Sequence, residues 1–217
     1  YTEANEFYNR VRESILRKKP TETDSDDVLA IKKLIREGEA KAACRFVGIP
    51  DSHVHFLNLP FYQTGTVKKK NLSDEDVKII MDLLQKIQPH QVYAAGDLSD
   101  PHGTHRVCFQ AVLAALKKLE NEKWMKDCYV WLYRGAWQEW GIADVDMAVP
   151  LSPAELQRKR RAIFKHQSQK DRPLFPGVDS REFWQRSEAR NRGTAELYDS
   201  LGMAEYEAME VFKRMGL

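Results

Sequence analysis

The sequence has no apolar run that approaches the roughly 18 residues of a bilayer-spanning helix, so it predicts no transmembrane segment. It begins without the basic-then-apolar pattern of a secretion signal. Its three cysteines, Cys44, Cys108 and Cys128, show no C-x-x-C spacing. An odd, unpatterned set of cysteines is typical of a reducing compartment and makes a metal role for them improbable. These absences predict a cytoplasmic protein with no membrane partner.

An excess of charge of one sign is also missing. Lys and Arg number 34 against 32 Asp and Glu, a formal net charge of +2, whereas nucleic-acid-binding domains usually carry a clustered basic excess. We therefore predict no nucleic-acid partner, and we interpret the basic runs at 68–70 and 158–161 as solvated faces. Apolar residues at 42% are sufficient for a core, and a length of 217 residues predicts one domain with an irregular extension.

The middle of the chain alternates between helical and strand patterns. The predicted elements are three helices and three strands in alternation, at about 28–47, 54–59, 74–87, 91–96, 104–119 and 129–133. Such alternation is typical of an α/β fold in which crossover helices join parallel strands. Three strands make a thin sheet for this class. We therefore predict a three-layer, Rossmann-like parallel sheet with helices on both faces, and expect that part of it is missing.

The predicted organisation in chain order is a first helix with an acidic linker (1–27), an α/β domain (28–170) and a C-terminal helical extension (171–217). A β-like segment at about 137–147 is expected to cover the sheet. Ser152 with Glu155 three residues later predicts a capped helix start. Charged helices are expected at 181–192 and 194–215.

The loop after the second predicted strand carries most of the candidate catalytic and metal-binding residues. In chain order it contains Asp97, Asp100, Pro101, His102 and His105. Ligands of open α/β sheets bind beyond the carboxyl ends of the strands, and imidazole and carboxylate groups are common zinc ligands. Two interpretations stay open. The loop is either a metal or catalytic site, or an ordinary helix start with Asp100 as the N-cap and Pro101 as the first helical residue.

Four elements in order resemble one family. The segment from Asp100 to Arg106 is similar to the second metal-site motif of the PIG-L/LmbE-like N-acetylglucosaminyl deacetylases. The stretch from Ile35 to Ile49 is similar to that family's Arg-x-x-Glu helix, and Val54–Leu59 to the strand that follows. Lys159–Gln169 resembles its Lys-x-x-Ala-hydrophobic-x-x-His-x-Ser-Gln segment. The resemblance covers about 28–170 and implies an LmbE-like α/β fold with amino-sugar N-deacetylase activity.

The resemblance also implies residue roles at a zinc centre. His105 matches a zinc ligand of the family. His102 matches the histidine that stabilises the oxyanion or protonates the leaving amine, and Asp97 is the carboxylate beside this pair. In the family a zinc-bound water attacks the acetamide carbonyl, since zinc lowers the pKa of that water towards about 7. Acetate and a free amine are then released.

Three further residues are implied to contact substrate, namely Arg36, Glu39 and His166. The planar guanidinium of Arg36 suits a phosphate or a sugar hydroxyl. A structural interpretation stays open for Arg36, as a helix-surface ion pair or packing residue, and for His166, as a charge at a helix end.

The chain departs from the family pattern in one respect that matters for activity. It contains no His-Pro-Asp-Asp-Glu motif, and in the family that motif supplies two zinc ligands and the general base. We expect the motif upstream of Tyr1 in a longer parent. We therefore predict that this chain alone is inactive and binds zinc weakly or not at all. Gly103 and Phe61 also stand where many members carry a carboxylate, which puts the substrate in doubt.

The sequence segments from Tyr93 to His105 and from Trp131 to Trp140 are similar to those of a bacterial subgroup of the family. In that subgroup the deacetylase-like region follows an N-terminal glucosamine-6-phosphate deaminase/isomerase-like domain. The implied partners are that domain and an amino-sugar substrate. The alternative is a non-catalytic sugar-binding, regulatory or oligomerisation module, in which the charged C-terminal helices join the protomers of a homo-oligomer.

Overall fold

The computed structural model describes residues 1–20, 22–62, 70–96, 103–136, 138–170 and 179–216. Within these ranges the helices are α1 (Thr2–Arg17), α2 (Asp26–Phe46), α3 (Asp74–Ile87), α4 (Thr104–Lys118), α5 (Pro153–Ile163) and α6 (Phe183–Ser200). The strands are β1 (Gln91–Ala95), β2 (Tyr129–Tyr133), β3 (Met147–Leu151) and β4 (Ala208–Met215). Short 3₁₀ helices lie at Asp51–His53, Lys123–Asp127 and Ile142–Asp144. The predicted α/β class is confirmed.

Among the described helices, α3 and α5 begin at capping boxes whose N-cap is a serine. The Ser73 hydroxyl accepts a hydrogen bond from the Asp76 amide at 3.3 Å, and the Asp76 carboxylate accepts one from the Ser73 amide at 2.8 Å. Ser152 and Glu155 repeat the arrangement at the start of α5, at 3.3 and 2.8 Å, with Pro153 as the first helical residue. Each box satisfies amides that the first helical turn leaves without partners. The predicted start at Ser152 is confirmed, and Asp serves in place of the usual Glu at the start of α3.

The four strands form one mixed sheet in the order β1-β2-β4-β3. β1 and β2 are parallel, with Gln91 opposite Tyr129 and Ala95 opposite Tyr133. β4 lies between β2 and β3 and is antiparallel to both. The predicted parallel pairing is confirmed for β1 and β2, which a crossover helix joins. The sheet also contains β3 and β4, whose antiparallel pairing was not predicted.

The main core lies where α3 and α4 cover one face of β1 and β2. Its buried members are Ala94, Leu116, Leu119, Met125, Val130 and Leu132. The members on β1 and β2 alternate with aromatic side chains on the opposite face, because successive side chains of a strand point to opposite sides. On that opposite face the Tyr93 ring meets Phe212 edge to face at 5.3 Å. A smaller cluster joins α6 to β4 through Ala195, Met209 and Val211.

The structure corrects the predictions at the flanks. Residues 54–59, predicted as a strand, follow the Asp51–His53 turn without strand pairing. The two charged helices expected at 181–192 and 194–215 are one helix, α6, followed by strand β4. The described part of the predicted extension, residues 179–216, is therefore not wholly helical, because β4 is an inner strand of the sheet. The β-like segment expected at 137–147 begins as strand β3 only at Met147.

The helices within the described ranges are polar or short by membrane standards. None of them combines the length and the apolar composition that a bilayer crossing requires.

Candidate functional site

The carboxyl ends of β1 and β2 lie side by side at the same end of the sheet. The Gly96 amide donates a hydrogen bond to the Tyr133 carbonyl at 2.8 Å, which extends the pairing one residue beyond β1. The next described residue after Gly96 is Gly103, which is the N-cap of α4 with a φ of 66°. Glycine adopts this left-handed conformation without steric cost. Asp100 and Pro101, the N-cap and first helical residue of the alternative interpretation, lie outside the described residues, and the described helix begins at Thr104.

His105 is the second residue of α4 and is exposed. One turn further along the helix is Cys108, whose thiol lies near Tyr133 at the end of β2. Burial, followed by this thiol, raises the pKa of the Tyr133 hydroxyl. The structure therefore brings the predicted metal ligand to the carboxyl end of the sheet. The other two predicted catalytic residues, Asp97 and His102, lie outside the described residues, and their roles stay predictions.

Trp140 packs across the end of β1 and was not singled out as a site residue from the sequence. Its indole N–H donates to the Leu132 carbonyl at 3.1 Å. The Arg134 guanidinium lies 3.9 Å from the ring centroid and the Lys213 ammonium 5.6 Å from it. A Cβ at Gly96 would lie 2.9 Å from the Trp140 ring. The glycine after β1 is therefore the residue that lets this ring approach, a signal visible in the sequence only once the contact is known.

Glu39 joins α2 to the segment that follows α5. Its carboxylate accepts hydrogen bonds from the Ser168 amide at 2.6 Å and from the Ser168 hydroxyl at 2.7 Å. Burial acts to raise the pKa of Glu39, but the two bonds from Ser168, the charge of His166 and a bond from Gln169 outweigh it. The pKa therefore lies below its usual value, and Glu39 is ionised at neutral pH. Of the three predicted substrate-binding residues, Glu39 and His166 are brought together.

Arg36 lies one turn before Glu39 on α2 and is exposed. Among the described residues its guanidinium has no ion-pair partner, although carboxylates are common on the helices around it. The helix-surface ion pair, one of the two structural roles left open for Arg36, is therefore not formed with any residue that the structure describes. A cation exposed one turn from an ionised Glu39 can contact an anionic or hydroxylated ligand.

Replacing Glu39 by Gln is expected to lower the free energy of unfolding at pH 7 by about 1 kcal/mol, because two charge-assisted hydrogen bonds lose their anion. Because folding lowers the pKa of Glu39, its carboxylate stabilises the fold above the unfolded pKa of about 4.3, and this stabilisation is lost as the pH falls through the folded pKa. The difference in the free energy of unfolding between variant and parent should therefore shrink below pH 4. Urea unfolding at pH 7 and below pH 4 measures this difference.

Glu37→Gln is the matched control, because Glu37 lies on the same helix and only approaches Lys33, at 3.8 Å. We expect a change within about 0.5 kcal/mol for this variant. Equal effects at the two positions would show that the Ser168 bonds contribute nothing to stability.

A complete metal centre is not formed by the described residues. Those residues contain no group of three or more His, Cys, Asp or Glu side chains able to hold a metal ion. His105 therefore lacks a described ligand set, and a structural zinc site needs four ligands while a catalytic one needs three. The described residues alone therefore do not fit a zinc ion.

The comparison with protein families matches residues 15–116 to PIG-L, the GlcNAc-PI de-N-acetylases. The matched range begins in α1 and ends in α4, so it includes Arg36, Glu39 and His105. Among curated proteins, the chain is 57% identical over 210 residues to a "putative glucosamine-6-phosphate deaminase-like protein" of Bacteroides thetaiotaomicron. That match covers 96% of this chain but 32% of the relative. The chain thus spans about a third of the relative's length.

Two solved structures share the fold. One is the 4-carboxy-2-hydroxymuconate hydratase of Pseudomonas putida, with a TM-score of 0.61 and 16% identity, covering 93% of this chain and 77% of that protein. The other is a deacetylase from the biosynthesis pathway of teicoplanin, with a TM-score of 0.53 and 16% identity, covering 88% and 75% of the two chains. At this identity the likeness establishes the fold. Residues 15–116 thus match the PIG-L family model, and the fold of the chain is that of these solved structures.

Proposed function

We propose that the chain is the substrate-binding part of a zinc-dependent amino-sugar N-deacetylase within a longer deaminase-like polypeptide. The observation that carries the proposal is the contact between Glu39 and Ser168. It joins the two segments that resemble the family's Arg-x-x-Glu helix and His-x-Ser-Gln segment, which are 129 positions apart. The contact therefore brings both segments to one place in the fold, where their side chains can contact one ligand.

The residues divide into two groups in this proposal. Arg36 and His166, arranged around the ionised Glu39, contact the sugar or its phosphate. His105 supplies one metal ligand at the carboxyl end of β1, and the remaining ligands come from outside the described residues. Hydrolysis of the linear acetamide then yields acetate and the free amine. Because the sequence contains no His-Pro-Asp-Asp-Glu motif, we expect the isolated chain to bind little zinc and to be inactive.

The second candidate is a non-catalytic sugar-binding or oligomerisation module of the longer protein. It is supported by the curated relative, which is named for deaminase-like rather than deacetylase function and of which this chain corresponds to 32%. The hydratase with the same fold likewise belongs to a different reaction class.

Zinc content and acetate release distinguish the two candidates. We expect the natural full-length polypeptide to hold about one zinc ion per chain and to release acetate from N-acetylated amino sugars. His105→Ala should abolish both. The matched control is His90→Ala, an exposed histidine at the opposite end of β1, which should keep both. If neither the parent nor the control binds zinc or releases acetate, the deacetylase proposal is wrong and the module is favoured.

A further inference from the structure

An open groove lies on the protein surface between the end of α2 and the end of α5. Its lining combines two aromatic rings with polar and cationic side chains, namely Phe46, Arg161, Phe164, Lys165 and Gln167. The Lys165 ammonium lies 4.9 Å from the centroid of the Phe46 ring, within the range of a cation–π contact. The groove therefore offers apolar surface and positive charge together, and we call it the basic groove.

The positive charge of the basic groove is not neutralised by a neighbouring carboxylate. The sequence contains no Asp or Glu from residue 156 to residue 170. Arg161 and Lys165 are exposed, and neither forms an ion pair with any residue that the structure describes. The neighbouring Lys159 and Arg160, in contrast, each pair with a carboxylate. An anionic partner would therefore meet two cations beside the two aromatic rings.

A surface of opposite charge lies where α6 ends and the chain turns towards β4. Residues 196–207 read Glu-Leu-Tyr-Asp-Ser-Leu-Gly-Met-Ala-Glu-Tyr-Glu, with four carboxylates and no Lys or Arg. Leu201 and Met203 are 61% and 54% exposed, and Leu197 and Tyr206 are exposed as well. Exposed apolar side chains grouped on one surface are typical of an interaction site. We call residues 196–207 the acidic segment.

Most carboxylates of the acidic segment have no cation beside them. Glu207 pairs with Arg192. Glu196, Asp199 and Glu205 are exposed, and among the described residues none of the three forms an ion pair. The acidic segment thus matches the basic groove in kind, with apolar side chains and opposite charge, although the net charge of the whole chain is only +2.

The two surfaces lie towards opposite ends of α5. Glu207, at the end of the acidic segment, borders the same surface as Pro153 and Ala154, the first residues of α5. The basic groove contains Phe164, which directly follows the last residue of α5. A helix of 11 residues is about 16 Å long. The acidic segment does not line the groove of its own chain, so a contact between the two surfaces joins two copies.

We propose that the acidic segment of one copy of this chain docks in the basic groove of a second copy. In this contact the apolar side chains of the segment pack on Phe46 and Phe164, and its carboxylates approach Arg161 and Lys165. Opposite charges steer such an encounter and suppress wrong partners. The proposal goes beyond the oligomerisation alternative by naming both surfaces. It does not depend on zinc or on deacetylase activity, so either can fail without the other.

Photo-cross-linking of the natural full-length polypeptide tests the proposal. A benzoylphenylalanine placed at Gln167, an exposed residue of the basic groove, should cross-link to a peptide within residues 196–207. A mixture of ¹⁵N-labelled and unlabelled protein shows whether the link joins two copies. The proposal is overturned if the probe links only within one chain, links only to a segment outside residues 1–217, or forms no link.

Reversing the charge of either surface should separate the copies. Arg161→Glu with Lys165→Glu should lower the yield of the cross-link at least about tenfold, because like charges then face each other. Glu196→Lys with Glu205→Lys should lower it to the same extent from the other side. An equimolar mixture of the two double variants should recover the link, because each altered surface then meets a surface of opposite charge.

Lys78→Glu with Lys86→Glu is the matched control for the groove variant. Both lysines are exposed on α3, and the change in net charge is the same. The control should keep the cross-linking yield of the unsubstituted protein. Equal losses in the control and in the groove variant, or no recovery in the mixture, would contradict the proposed contact.

Discussion

Replacing Glu210 by Ala is expected to lower the free energy of unfolding by about 3 kcal/mol, because it leaves the partly buried Lys159 without an anion and leaves Arg190 with Glu139 alone. The Glu210 carboxylate receives Lys159 Nζ and Arg190 at 2.5 Å each, and its side chain is 17% exposed. Burial acts to raise its pKa, but the two cations outweigh this and lower it. Asn191 donates to the same carboxylate at 3.0 Å.

The neighbouring charges respond in opposite directions. Burial lowers the pKa of Lys159, and burial raises the pKa of Glu139 despite its ion pair with Arg190 at 2.6 Å. Glu210 is therefore the carboxylate that Lys159 and Arg190 share. Lys159→Met added to Glu210→Ala should recover part of the loss, since it removes one stranded charge.

Equilibrium urea unfolding measures these effects, and Glu207→Ala is the control. Glu207 pairs with Arg192 at the surface, where the two side chains are 35% and 43% exposed, so its loss should cost less than about 1 kcal/mol. A loss at Glu210 no larger than that at Glu207 would show that the buried group contributes nothing to stability.

Asp76→Ala is expected to lower the free energy of unfolding by a similar amount, about 3 kcal/mol, for a different reason. Asp76 is fully buried. One carboxylate oxygen accepts from the buried amide of Phe61 at 2.9 Å, and the other accepts from the amide and hydroxyl of Ser73 at 2.8 and 2.5 Å. Removing it leaves buried donors unsatisfied and also removes a helix cap.

The same carboxylate predicts a pH dependence. Burial acts to raise the pKa of Asp76, but its hydrogen bonds outweigh burial and lower the pKa below 3.8. A lowered folded pKa stabilises the protein above the unfolded pKa, and this stabilisation is lost as the pH falls through the folded value. Stability should therefore fall more steeply below pH 4 in the parent than in Asp76→Asn. Urea unfolding between pH 7 and pH 2 measures the slope.

The control for Asp76 is Asp74→Ala at the start of the same helix. The Asp74 side chain is 98% exposed and pairs with Lys118 at 3.2 Å, so its loss should cost less than about 1 kcal/mol. Equal losses at Asp74 and Asp76 would contradict the role assigned to the buried carboxylate.

The elements that depend mainly on residues close in sequence were predicted correctly. Ser152 and Glu155 lie three residues apart, and a capping box needs nothing beyond its own turn. β1 and β2 were predicted correctly because they are short apolar runs between helices. The strand predicted at 54–59 was wrong because an apolar run becomes a strand only when another strand pairs with it.

Long-range pairing explains the largest error. Residues 208–215 follow a charged helix and contain Glu210, Lys213 and Arg214, so they were interpreted as more helix. The alternation of Met209 and Val211 with Glu210 was the signal for a strand, but its partner β2 lies far back in the sequence. Lys159 was likewise grouped with a solvated basic run, and only the tertiary fold shows its contact with Glu210.

The candidate site was predicted only in part, because its contacts join residues that are far apart in the sequence. A resemblance between motifs pointed to Glu39 and His166, although nothing local to either residue links them. Ser168, which supplies the hydrogen bonds that join α2 to this segment, was quoted within a motif but not identified as a site residue. Its role depends on a contact between residues 129 positions apart.

The position of β4 has a consequence for folding during synthesis. β4 is the last described element to leave the ribosome, yet it lies between β2 and β3. About 75 residues separate β2 from β4, which at about 5–20 residues per second takes roughly 4–15 s to synthesise. During this interval the edge of β2 that later receives β4 lacks its partner, and exposed strand edges are prone to aggregation. The nascent chain is therefore most exposed to misassembly, and to capture by chaperones, just before β4 is made.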